Sequence, residues 1–194
     1  MIIDDKINET QIVTEFEELL QIYKEHKPFK IIEIGSLTGR ALRHFMHYAQ
    51  QGSTVISIDL PVRDFCGSGD YRVAEQEHNY KVEWPKWAKE NKIKLYLIKG
   101  MSQNPKNLET VKSITSDVDF LFIDGNHFYD YVKKDLQMYG PLVRKGGIIA
   151  LHDIGYAEEG GVYKLWEEIK NKYSSFKEIR HSSKGEKGIG LLYV

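Results

Sequence analysis

Asp119-Phe120-Leu121-Phe122-Ile123 is followed at once by Asp124-Gly125-Asn126-His127. After Asp119 the run is apolar at every position, with no polar–apolar alternation. Such a strand belongs in a parallel sheet covered on both faces, not in a sheet with one wet side. The abrupt return of polar residues marks its C-terminal end. A helix over 127–139 comes next, with Phe128, Val132, Leu136 and Tyr139 on one face. Pro141 and Gly146-Gly147 frame a turn, and an apolar strand over 148–151 runs into His152-Asp153.

The same alternation extends outward in both directions. Residues 10–26 place Ile12, Val13, Phe16, Leu19, Leu20 and Tyr23 at helical spacing, and Pro28 stops that helix. A buried strand over 30–34 ends at Gly35. A helix over 38–51 turns Ala41, Leu42, Phe45, Met46 and Ala49 inward and is capped by Gly52. Strands are predicted over 54–59 and 93–98, and a helix over 105–114. Beyond His152-Asp153 the pattern predicts a helix over 162–173 and strands over 176–179 and 190–194. Between 60 and 82 the rhythm breaks. Pro61, Gly67, Gly69 and many polar residues show no period, which predicts a long loop able to act as a lid. A short helix over 83–91 carries Trp84 and Trp87. The whole reads as an open α/β sheet in a single domain, 1–194, with residues 1–27 as a helical extension. Right-handed crossovers then bring the C-terminal ends of the parallel strands to one edge.

Composition narrows the partners. The chain has 194 residues, 27 Lys plus Arg against 28 Asp plus Glu, and a formal net charge of -1, which disfavours a protein that coats nucleic acid. The single cysteine, Cys66, excludes an intrachain disulfide and a thiolate-rich zinc site. No apolar run approaches the ~20 residues of a membrane span. Met1-Ile2-Ile3-Asp4-Asp5 lacks the basic-then-apolar opening of a signal peptide. A cytoplasmic protein is therefore expected.

Five strand ends carry the informative residues. Glu33-Ile34-Gly35-Ser36-Leu37-Thr38-Gly39 leads from a strand through a glycine turn into a helix, which either simply joins the two or presents backbone N–H groups to a ligand. Leu37 stands where a dinucleotide fingerprint has its middle glycine, so a pyrophosphate is disfavoured. Asp59 ends the next strand, where an acidic residue can accept both hydroxyls of a ribose. Gly100-Met101-Ser102 ends the third and can meet an adenine edge. Asp124, His152 and Asp153 offer ligands for a divalent cation. His127, three residues beyond Asp124, adds an imidazole whose ordinary pKa of about 6.5 suits proton abstraction. Each member taken alone has a bland reading, as a helix cap or a packed side chain; their clustering favours catalysis. His26, His44, His47, His78 and His181 read as surface or packing residues. Arg63, Asp64, Asp70 and Arg72 read as solvated charges, and Cys66 has no activating neighbour.

The stretches IIEIGSLTGRAL, VISIDLP, LIKGMSQNP, VDFLFIDGNHFYDYVKKDLQMYGPLVRKGGIIALHDI and GVYKLWEEI together resemble a class I S-adenosylmethionine-dependent methyltransferase. The resemblance is to the small family related to macrolide-sugar O-methyltransferases and to methyltransferases of glycan and natural-product clusters. It implies a Rossmann-like seven-stranded mixed α/β sheet, its last strand antiparallel, with helices on both faces. It implies that Glu33, Gly35, Ser36 and Gly39 cradle the methionine part of S-adenosylmethionine, that Asp59 holds the ribose, and that Gly100, Met101 and Ser102 border the adenine. Asp124 would join the cofactor site and, with His152 and Asp153, hold Mg²⁺ or another divalent cation. His127 falls where the sugar-modifying relatives have a catalytic histidine. The chain departs from the family twice: Met101 replaces an acidic residue, and His152 replaces a carboxylate ligand. The expected partner is a small-molecule acceptor, a sugar, polyol or natural product; a homo-oligomer is left open. Two alternatives remain at this point, a hydroxylase-like enzyme of the same fold dependent on Fe(II) and dioxygen, and a nucleoside-binding protein without chemistry.

Overall fold

A computed structural model describes residues 13–64, 70–156, 161–181 and 187–194. Helix α1 (Val13–His26) precedes β1 (Lys30–Ile34), α2 (Arg40–Tyr48) and β2 (Thr54–Asp59). Then come α3 (Tyr71–His78), α4 (Trp84–Glu90), β3 (Lys94–Lys99), α5 (Pro105–Ile114), β4 (Val118–Ile123) and α6 (Tyr129–Tyr139). The chain ends with β5 (Val143–His152), α7 (Gly161–Ile169), β6 (Ser175–Ile179) and β7 (Ile189–Tyr193).

The seven strands form one sheet in the order β3-β2-β1-β4-β5-β7-β6. β1 to β5 are parallel neighbours, while β7 is antiparallel to both β5 and β6 and lies between them. The sheet is therefore mixed, and its last strand is inserted one place from the edge. β4 is buried at every position. Its alternate residues serve two cores: Phe120 and Phe122 pack with Phe16, Tyr23, Phe45 and Trp84 on one face, and Leu121 and Ile123 pack with Val111, Val132, Leu136 and Leu165 on the other. That division is why its sequence shows no alternation. Chain order reverses between β1 and β4, so the crevice outside their C-terminal ends is a topological switch point, where ligands of such sheets bind.

Two expectations need correction. Residues 71–82 are not loop. α3 is capped by Asp70, whose side chain accepts the Arg72 N–H, and a π-helical turn over Asn79–Glu83 joins it to α4. Buried Gln76, Tyr80, Trp84 and Ala88 make one continuous stripe; the glutamine at its head hides the apolar period. Gly146-Gly147, expected in a turn, lies inside β5, which therefore starts earlier than residue 148. Gly146 has φ +80, and a Cβ on Gly147 would come within 2.6 Å of Val143, so only glycine suits this kink. Ile12, Cys66, Gly67 and Gly69 lie outside the described residues. Among the described residues no helix is long and apolar enough to cross a membrane.

Candidate functional site

The switch point opens into a cavity of about 590 Å³, within the range of small-molecule sites. Its first wall is the turn after β1. Gly35 has φ +87, and a Cβ there would fall 2.2 Å from the carbonyl oxygen of Asp124, so the turn presses against the end of β4. Ser36 Oγ donates to Glu33 Oε2 at 2.6 Å and lies 2.7 Å from Ser57 Oγ. Leu37 adopts a left-handed φ of +49 and directs its N–H to the Asp59 carboxylate. Gly39 does not line the cavity. It lies against Trp84, whose ring would be 1.9 Å from an added Cβ. Its role here is packing: it lets α4 approach the turn.

Four carboxylates line this cavity, Glu33, Asp59, Asp124 and Asp153, and the first three crowd one another. Glu33 is wholly buried. Burial, opposed by the Ser36 hydroxyl and reinforced by the charges of Asp124 and Asp59, holds its carboxyl well above the usual range. Its Oε1 has no hydrogen-bond partner. Burial likewise pushes Asp59 up to about 6, against the backbone N–H groups of Leu37, Leu60 and Ser36 and with the charge of Asp124 adding to the rise. Crowded carboxylates of this kind suit a cationic ligand, which would relieve their mutual repulsion.

The helices over 71–90 roof this region. Gln76 Oε1 accepts the Val62 N–H at 2.7 Å, while its Nε2 reaches the Leu60 carbonyl at 3.2 Å and Asp59 Oδ2 at 3.4 Å. Asn79 Nδ2 donates to the Thr38 carbonyl at 2.8 Å. Arg72 lines the cavity and is held by Asp70 at 2.7 Å, so it is not simply a solvated charge. The third strand end contributes Gly100, Met101 and Ser102. Tyr139 Oη donates to the Ser102 carbonyl at 2.7 Å, and Gln103 Nε2 donates to Asp135 Oδ1 at 2.7 Å, anchoring this loop on α6.

Beside the carboxylates stands a compact cluster of Asp124, His127, His152 and Asp153, with one ligand-capable atom from each within 4.8 Å of all the others. His152 Nδ1 lies 2.9 Å from Asp124 Oδ1 and 3.4 Å from Asp153 Oδ1. His127 Nδ1 lies 3.3 Å from Asp153 Oδ2, and its Nε2 lies 3.5 Å from Asp124 Oδ1. Burial alone would raise Asp124, but His152 and His127 hold it far below the carboxylate range. Burial alone would lower His152; Asp124 and Asp153 instead push it up to about 10. His127 is raised in the same way, burial being outweighed by Asp124 and Asp153. The unperturbed imidazole expected from the sequence is thus corrected, because both its ring nitrogens face carboxylates.

The residues present fit both groups that the fold implies. Glu33 Oε1, His152 Nδ1 and Asp153 Oδ1 are buried without a hydrogen-bond partner, and they border the one cavity. Buried polar atoms are rarely left so unless something else satisfies them. The sequence reading missed Gln76, Arg72, Arg40, Asn126 and Tyr131 as neighbours of the site. Gln76 and Arg72 sat in the stretch expected to be loop, and Asp70, a helix N-cap residue, was the one local signal available.

The family described as "Methyltransferase domain" matches residues 32–154, more than half of the chain. An uncharacterized protein of Acanthamoeba polyphaga mimivirus is 27% identical over 122 residues, 63% of this chain. The matches span only 6% and 50% of the curated relatives' own lengths. Among solved structures, an O-methyltransferase from Bacillus cereus in complex with SAH superposes with a TM-score of 0.65 at 16% identity, covering 96% of this chain and 84% of its own. MycE, a methyltransferase of the mycinamycin pathway in complex with Mg, SAH and mycinamycin VI, gives 0.60 at 14% identity, covering 91% and 48%. At those identities the structural likeness concerns the fold. By the extent of the family match the chain belongs to the methyltransferase-domain family, and its sheet is that of the class I S-adenosylmethionine-dependent methyltransferases.

Proposed function

We propose that this protein moves a methyl group from S-adenosylmethionine to a hydroxyl of a small molecule, with a vicinal diol of a sugar or polyol as the acceptor class. One observation carries the reading: three crowded carboxylates and an imidazole–carboxylate cluster border a single cavity. Asp59 accepts the ribose hydroxyls, and Glu33, Ser36 and the Gly35 turn take the methionine end. Gly100, Met101 and Ser102 border the adenine. The sulfonium supplies an activated methyl: the carbon–sulfur bond breaks as a carbon–oxygen bond forms, and the hydroxyl proton must leave. His127 receives that proton in its neutral form, which the neighbouring carboxylates shift to higher pH. Asp124, His152 and Asp153 would hold a divalent cation, whose contribution is to acidify and align the hydroxyl. The chain's other task is positioning, since the oxygen must approach the methyl carbon in line with sulfur. The likeness to MycE, in complex with Mg, SAH and mycinamycin VI, supports a small-molecule acceptor and a cation.

Calorimetry with SAH tests the binding half, and tritium transfer from labelled S-adenosylmethionine to a polyol panel tests the chemistry. His127→Ala should keep SAH affinity and lose about 10²–10⁴-fold in turnover, the usual worth of a general base. Turnover that survives this change removes His127 from the role. The two imidazoles beside carboxylates also favour a second reading, an Fe(II)- and dioxygen-dependent hydroxylase. Oxygen consumption without methyl transfer would select it.

A further inference from the structure

We infer that His152 makes the Asp124–His152–Asp153 cluster a nitrogen-containing metal site that selects a first-row transition cation, such as Mn²⁺ or Co²⁺, over Mg²⁺. The inference deepens the proposed reading, and rests on it for the presence of a cation, but it can be tested without turnover.

The placement of His152 is the first argument. It is the last residue of β5, pairs with Ile189 of β7, and is 3% exposed, so the ring is fixed by the sheet and cannot swing away. Its Nδ1 is close to two carboxylate oxygens, yet its alignment with neither makes a hydrogen bond. Asp153 Oδ1 is equally buried and makes no hydrogen bond, 3.4 Å from the ring nitrogen, and the left-handed φ of +56 at Asp153, which aspartate tolerates better than most residues, places the carboxylate beside the ring. A cation with bonds of roughly 2.1 Å has its donors about 3 to 4 Å apart, which is the spacing seen here.

The donor chemistry is the second argument. Mg²⁺ prefers oxygen ligands and gives up water reluctantly; a buried imidazole offers it little. Mn²⁺, Co²⁺ and Zn²⁺ accept imidazole nitrogen together with carboxylates, and affinity for such sites rises along the first row. A purely structural ion pair would need no fourth polar group, whereas His127 also faces this cluster from the cavity side.

The test titrates the full chain with Mg²⁺, Mn²⁺ and Co²⁺ by calorimetry, with SAH binding measured in parallel. Co²⁺ and Mn²⁺ should bind at least roughly tenfold more tightly than Mg²⁺. Spin-echo spectra of the Mn²⁺ form should show modulation from a ligated ring nitrogen. His152→Asp should lose that signal and narrow or reverse the preference, while His127→Ala should retain the signal. Equal affinity for Mg²⁺ and Co²⁺, no binding of any cation, or a nitrogen signal that survives His152→Asp would each overturn the inference. Should the variant fail to fold, the wild-type cation series and nitrogen signal decide alone. SAH binding without metal binding sinks only this site; metal binding without SAH binding sinks the methyltransferase reading instead.

Discussion

Asp119 and Asp124 occupy opposite ends of β4 and serve different purposes. Asp119 accepts the N–H groups of Phe29 and Lys30 at 2.8 and 2.7 Å and pairs with Arg144. Burial works to raise its carboxyl, but Arg144 and the two amides prevail and hold it below the ordinary range. Its partners are all supplied by the protein, and they tie the entry to β1 and the start of β5 onto β4. Asp124 is also held low, by two histidines, but its surroundings are incomplete: Glu33 Oε1, His152 Nδ1 and Asp153 Oδ1 lie buried around it without a hydrogen bond, although His152 is ion-paired with both aspartates. One end of the strand is finished by its own fold, and the other leaves donors and acceptors for something to complete. Satisfied polar groups mark structure, and buried unsatisfied ones gathered at a crevice mark a site.

Substitutions on the two sides should separate affinity from stability. Asp59→Ala removes a carboxylate proposed to accept two ribose hydroxyls. Charge-assisted hydrogen bonds contribute about 1.5–3 kcal/mol each, so SAH affinity should fall by about 100-fold or more; the N–H groups of Leu37, Leu60 and Ser36 lose their acceptor as well, a stability loss offset in part by removing a carboxylate whose burial is unfavourable. Asp119→Ala should do the reverse. It strands two backbone N–H groups, at about 2 kcal/mol in total, while the half-exposed Arg144 pair adds little. Denaturant titration should register that loss with SAH affinity unchanged. If Asp119→Ala weakens SAH binding in the folded protein, or Asp59→Ala unfolds it, the division between the two edges fails.

The architecture was largely legible from the sequence, and the reason is physical. Fully buried parallel strands must be apolar on both faces, so 119–123 declares itself, and a helix such as Pro105–Ile114 is bounded by its proline and its caps. The strand-end residues were legible too, because polar groups that follow an apolar strand have no packing reason to be there. The covering segment was not, because the stripe of Gln76, Tyr80, Trp84 and Ala88 opens with a polar residue that is buried only because Val62, Leu60 and Asp59 bond to it. Gly39 packs against Trp84 instead of lining the cavity, which the sequence could not show: a glycine that admits a backbone to a ligand and one that admits a tryptophan look identical there. The protonation of His127 lay only partly within reach of the sequence: Asp124, the stronger of its two partners, is three residues away, but Asp153 reaches it through the sheet.

The smallest expected effect concerns protons. Asp59, pushed up to about 6, and Glu33, held well above its usual range, are partly or wholly protonated in mildly acidic solution. A ligand that brings a sulfonium and an ammonium next to them favours their charged forms, so binding should expel protons. Calorimetry of SAH and S-adenosylmethionine in buffers of different ionisation enthalpy should show release of up to about one proton near pH 6, more for the sulfonium than for the neutral thioether. Affinity should weaken by at most about tenfold per pH unit below 6. Glu33→Gln should reduce the release, and no proton exchange with either ligand would contradict the carboxylate-lined reading of the cavity. The consequence for folding has the opposite sign. A carboxyl raised in the folded state is penalised when charged, so lowering the pH from above 6 towards 4 makes the Asp59 contribution to stability less unfavourable. The contribution of Asp119, lowered in the folded state, is complete above an ordinary carboxylate pKa of about 3.9 and is lost as the pH falls below it. Mild acid should therefore loosen the ligand before it loosens the sheet, since the groups that hold each lie on different strands and titrate in different windows.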